Sequence, residues 1–253
     1  SREYLSQLVN LMMITMNDPD RVKQTEKEFL KFLDSDASNA AKQFICERLS
    51  FIATDVSISG LLTMLRKAST SEMALYTLDR LPGQNVDKKL IEELDKADVN
   101  LKAGIITSLG RREAQNAVAK ISSYIDNPDS MLANAAIDAL AQVGGKESIQ
   151  ALVKARKNKK YAMRATGAYL RCADKLSDHG ELKQAHKIYS EIFETVQTKH
   201  FQYAALQGMV LTSGDRAPEI IGDILTSNQN SLYSVVIPLI KYIKPNQEIT
   251  NIA

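Results

Sequence analysis

Apolar side chains along this chain recur three and four residues apart, and the arrangement repeats. Leu78, Leu109 and Leu140 are spaced by 31 residues, and Leu170 follows after 30. Leu75, Ile106 and Ile137 keep the same step, as do Leu90, Ile121 and Leu152. Two registers recurring together predict one apolar face per helix of a repeated helix pair. Within 114–125, Ala117, Val118, Ile121 and Ile125 follow helical spacing. Asn127-Pro128-Asp129-Ser130 then interrupts: Pro128 cannot continue a helix, and Asp129 or Ser130 can cap the next one. That second helix carries Leu132, Ala136, Ile137, Leu140 and Val143, and Gly144-Gly145 ends it. The preceding unit has Gly110 near its end. The one before stops at Pro82-Gly83, after Ser69 and Glu72 at capping-box spacing.

On this grammar the chain is all-α, an α-α superhelix of about six helix pairs plus an N-terminal helical cap. First helices are predicted to begin near 57, 87, 114, 146, 180 and 217, and second helices near 71, 99, 130, 160, 199 and 231. We read 1–253 as a single α-solenoid: a cap over 1–56, regular repeats over 57–176 and irregular repeats over 177–253. The cap is expected to hold about three helices, the second opening at Asp18-Pro19, without the 31-residue register. The register fails again after 176, where the step from Leu170 to Met209 is 39.

Composition supports the helical reading. Ala, Leu, Lys, Glu and Gln outweigh the strand formers, Trp is absent and Gly numbers only 11. A net charge of +2 argues against general nucleic-acid or membrane binding through the whole surface. Leu11-Met12-Met13-Ile14 and Val235-Val236-Ile237-Pro238-Leu239-Ile240 are too short to span a membrane and read as core. Cys46 and Cys172 sit in apolar helical contexts several repeats apart, which predicts two buried thiols. A start at Ser1 rather than Met is read as a processed or trimmed product.

Asn127-Pro128-Asp129, Leu132-Ala133, Ala135-Ala136, Ala139-Leu140-Ala141 and Val143-Gly144 resemble the second helix of the HEAT repeat in its short bacterial form. That pattern has Arg where this chain has Ala133; Lys102 stands near the position in the preceding unit and Arg164, displaced by one, in the following unit. The resemblance covers 57–175 and implies an armadillo-type fold serving as scaffold, receptor or adaptor. The stretch 180–195 resembles a single tetratricopeptide-type hairpin and is read as an irregular continuation. Leu81-Pro82-Gly83, followed by Ile106-Thr107-Ser108-Leu109-Gly110-Arg111-Arg112, resembles segments of large bacterial exported proteins that precede a 3-keto-disaccharide hydrolase-like domain. That likeness implies the non-catalytic N-terminal region of a larger, periplasmic or otherwise exported protein, with an adjoining domain of the same polypeptide as one candidate partner.

Candidate chemistry is sparse. His179, His186 and His200 lack the compact spacing of a zinc site and read as surface or cap residues. Gly144-Gly145-Lys146 lacks the glycine and hydroxyl residues of a phosphate loop. Glu92-Glu93 reads as a solvated pair beside Lys88 and Lys89 rather than a general acid. No catalytic residue, cofactor or metal is therefore assigned. The enzyme alternatives on this fold are a DNA glycosylase, which resembles a basic groove with Trp or Tyr and an Asp, and a phycobilin lyase.

Two binding surfaces remain. Stacked helix pairs form a curved rod lined inside by the second helices, so equivalent positions fall into rows. Tyr76, Arg80, Thr107, Arg111, Asp138 and Gln142 make the row beside the core leucines, and Tyr and Arg are frequent interface anchors. An unidentified protein is the expected partner. Lys154, Arg156, Lys157, Lys159, Lys160 and Arg164 form the alternative, an acid-free basic rim that could contact phosphate, including that of nucleic acid, an acidic protein or an anionic glycan.

Overall fold

The computed structural model describes residues 18–227 and 230–242. These residues form α-helices and short 3₁₀ turns, with no strand among them. The first helix expected in the cap, with its Leu11–Ile14 run, lies outside the described residues. The chain divides into two compact units at Ala139 and Leu140.

The first unit holds α1 (Pro19–Leu33), α2 (Asn39–Leu49), α3 (Asp55–Leu65), α4 (Ser71–Leu78), α5 (Gln84–Leu94) and α6 (Val99–Arg111). A 3₁₀ turn at Gln115–Ala117 leads into α7 (Val118–Ser122), and α8 (Ser130–Val143) carries the unit's last residues. Short polar side chains start most of these helices. Asp18 accepts from the amides of Asp20 and Arg21, Ser38 from Ala41, Thr54 from Val56, Asp98 from Leu101 and Asp129 from Met131. The expected capping box at Ser69 and Glu72 does not form. The Thr70 hydroxyl is buried and donates back to the Met64 carbonyl at 2.7 Å, so α4 begins one residue out of phase with the box.

Helices stack here in two rows. α1, α3 and α5 pack in succession, and α2, α4 and α6 pack beside them. Leu78, Leu109, Leu90 and Ile121 are fully buried, as the 31-residue register requires. A second column at the same spacing, Cys46, Thr77, Ser108 and Ala139, is buried as well. Its side chains are small, which lets neighbouring second helices approach: the Thr77 hydroxyl reaches the Cys46 backbone carbonyl at 3.0 Å. The register thus extends into α2, a segment expected to lack it.

The second unit holds α9 (Gly145–Ala155), α10 (Ala162–Asp178), α11 (Leu182–Thr195), α12 (Lys199–Thr212) and α13 (Ala217–Thr226). α14 (Tyr233–Val236) runs on as a 3₁₀ segment, Ile237–Tyr242. Gly144 ends α8 at φ +68°, the left-handed conformation that favours glycine. The Leu170 register fails. Leu170 is half-buried, and Tyr169, a residue earlier, is buried. The last predicted second helix is broken, since Pro238 cannot donate to an α-helical ladder. Val236 and Leu239 reach the core, while Ile237 is exposed.

Candidate functional site

The regular rows of the first unit leave an open groove of about 810 Å³ along α4, α6 and the start of α8. Tyr76, Asp79, Arg80, Thr107, Arg111 and Met131 line it. The polar side chains are held in place from within. The Arg80 guanidinium lies 3.6 Å over the Tyr76 ring and donates to the Tyr76 carbonyl at 2.9 Å. Arg111 pairs with Asp79 at 2.6 Å, and Asp79 also accepts from the Ser108 hydroxyl. Thr107 donates to the Ala103 carbonyl at 2.8 Å. Asp79 thus compensates Arg111, whereas Arg80 is held by a ring and a carbonyl. Its charge faces the groove beside an aromatic face and the half-exposed Met131.

Four of the six residues expected in the inner row therefore meet in one hollow: Tyr76, Arg80, Thr107 and Arg111. Asp138, further along α8, is half-buried and outside its lining. Gln142 belongs to the second unit, where its carbonyl accepts from Lys175 at 2.6 Å. Sequence reasoning missed the continuation toward the N-terminus. A further hollow of about 600 Å³, lined by Asn39, Gln43, Glu47 and Met73, shares Glu72 and Tyr76 with the first. The column of small residues running through Cys46 was the signal that α2 belongs to this face.

The basic rim surrounds the turn between α9 and α10. Lys154, Lys157, Lys159, Lys160 and Arg164 are exposed. Arg156 departs from the expectation. It is mostly buried, pairs with Glu191 at 2.5 Å and lies 4.8 Å over the Tyr169 ring. Burial and the Glu191 carboxylate, which accepts from the Tyr169 hydroxyl at 2.9 Å, push that phenol's pKa up.

The remaining candidates stand apart. His179 follows α10, His186 bonds the Met209 carbonyl and Thr212 from α11, and His200 lies against Phe201 in α12. Cys46 and Cys172 are buried free thiols, each pushed up to about 11 by burial. The reading of Glu92-Glu93 as a solvated pair is corrected. Glu92 is exposed, but Glu93 is buried, hydrogen-bonded by Arg66 at 2.6 and 2.9 Å. Those bonds hold its carboxyl below the usual range, so it is an anion that joins α3 to α5. Among the described residues no helix is long and apolar enough to cross a membrane.

Residues 88–170 match the family model described as HEAT repeats. No curated protein matches the chain.

Proposed function

We propose, for a chain that is a HEAT-repeat protein over residues 88–170, that it is a non-catalytic scaffold gripping a protein partner along the groove of its first unit. HEAT repeats are commonly protein-interaction scaffolds and typically non-catalytic. One observation carries the reading: the groove gathers Tyr76, Arg80, Thr107 and Arg111 from successive second helices beside Met131. An anchored aromatic ring, an oriented guanidinium and a polarisable thioether supply contact area at little entropic cost, as interface hot spots do. They provide no nucleophile, paired base or oxyanion donors for a reaction.

The test places a photo-crosslinking residue at Thr107 or, as a control, at Lys88 in the full-length protein in its native cell. Crosslinks should form at Thr107. Tyr76→Ala with Arg80→Glu should abolish them, while Lys88→Glu with Glu92→Lys should not. Equal crosslinking from both positions, or equal loss in both double variants, defeats the proposal. Export is a separate proposal, tested by the compartment in which the full-length protein fractionates.

A further inference from the structure

The second unit carries a charged surface that the scaffold groove does not use. A hollow of about 500 Å³ opens beside the α9–α10 turn. Val153, Ala162, Met163, Val196 and Phe201 supply its apolar lining, and Met163 is 62% exposed. Arg156 and Lys157 stand at its edge, with Glu191, Thr195 and Thr198. One Glu191 oxygen receives Arg156 and the other the Tyr169 hydroxyl, so this carboxylate is engaged away from Lys157 and Lys159. Lys154 lies in the last turn of α9, Lys159 and Lys160 in the connecting turn, and Arg164 beside Met163 in the first turn of α10. The segment 154–164 contains no acid, so its field on a ligand at the hollow is positive.

From this juxtaposition we infer that the hollow is a docking site for an acidic peptide segment bearing an apolar anchor. The anchor fills the space over Met163, and flanking carboxylates face Lys157, Lys159 and their neighbours. Two features favour a peptide over nucleic acid. The cations cluster at one turn, whereas a phosphate backbone is followed by cations strung along a groove. The nearby tyrosines, Tyr161 and Tyr169, are buried, so the half-buried Phe201 in the hollow stands without a row of exposed rings on which successive bases could stack. Neither the cations nor the hollow belongs to the first unit's groove, so the inference stands apart from the scaffold proposal.

The test uses the whole chain and fluorescein-labelled probes read by anisotropy. The first probe alternates Glu and Asp with two central Leu residues; the second replaces the leucines with Ser; the third is single-stranded DNA of similar charge. The leucine peptide should bind with a Kd of roughly 10–100 µM at physiological salt, and the serine peptide at least about tenfold more weakly. Lys157→Glu with Lys159→Glu should weaken the leucine peptide by about tenfold or more. Met163→Asp should do the same, while Lys88→Glu leaves binding unchanged. All substituted side chains are exposed, and far-UV spectra should match the parent. Three results overturn the inference: no binding of the leucine peptide, equal binding of the two peptides, or tighter binding of the DNA that collapses with salt.

Discussion

Successive helices in the first unit are tied by ion pairs at similar sequence separations; the second unit also carries such a pair, Arg156 with Glu191, and adds ties through tyrosines. Arg66 reaches Glu93 between α3 and α5, Asp79 reaches Arg111 between α4 and α6, and Lys120 reaches Asp95 between α7 and the end of α5. In the second unit Tyr169 of α10 donates to Glu191 of α11, and Tyr189 of α11 donates to Asp174 of α10 at 2.7 Å. The Tyr189 ring then lies against Gly208 of α12, where an added Cβ would come within 2.4 Å of it. The difference follows from the repeat step. A constant step keeps the side chains of successive helices at similar separations, so short ion pairs can bridge them. Where turn lengths change, long side chains span the altered gaps and a glycine must make room for a ring.

The largest expected effect tests the charged side of this comparison. Arg112 is buried, pairs with Asp87 at 2.6 Å and donates to the carbonyls of Leu78, Leu81 and Gly83. Arg112→Ala strands a buried carboxylate and three carbonyls, and urea unfolding should show a loss of about 3–5 kcal/mol. Hydrogen exchange should place that loss in the first unit. A loss near that of an exposed pair, about 0–1 kcal/mol, would show that the network is not structural.

Leu109→Ala removes a fully buried side chain from the regular column and should cost about 2–5 kcal/mol in the same assay. Leu170→Ala should cost less, because Leu170 is half-buried and lies outside the column. Equal losses would restore the uninterrupted register and erase the distinction between the units.

Two glycines sharpen the contrast. Gly208→Ala drives a methyl into the Tyr189 ring and should destabilise by about 1–3 kcal/mol. Gly104→Ala, in the first unit, meets only the Leu75 Cδ1 methyl at 3.1 Å. That methyl ends a flexible side chain, and alanine's helix preference of up to about 1 kcal/mol offsets the crowding. Gly104→Ala should therefore fall within about 0.5 kcal/mol of the parent. Thermal melts of both variants make the comparison.

The smallest effect concerns pH. Arg66 holds the folded Glu93 carboxyl below its unfolded value of about 4.3. Its stabilisation is therefore full above that value and lost as pH falls through the depressed folded one. Stability measured against pH should show Glu93→Gln below the parent at neutral pH and converging with it in acid. A gap that stays constant into acid would mean that the Arg66 pair does not set Glu93's titration.

The all-α fold and its helix starts were legible in sequence, because amphipathic spacing, proline and capping residues act locally. Each observed pair begins within three residues of its expected position, from α3 at Asp55 to α13 at Ala217, where the 3₁₀ turn at Gln115 that leads into α7 counts as that pair's start. Capping by Asp18 and Asp129 and burial of both cysteines were legible for the same reason. Tertiary structure alone decided which equivalent positions meet. Small residues such as Thr77 and Ser108 stand at the 31-residue step but leave no hydrophobic signal, so only packing shows that their column is buried and brings α2 to this face. Charge in the sequence did not distinguish Arg156 from Lys157: one turns inward to Glu191 and Tyr169, and the other faces solvent. Local propensity places helices, but the partner of a long polar side chain depends on which neighbour packing brings within its reach.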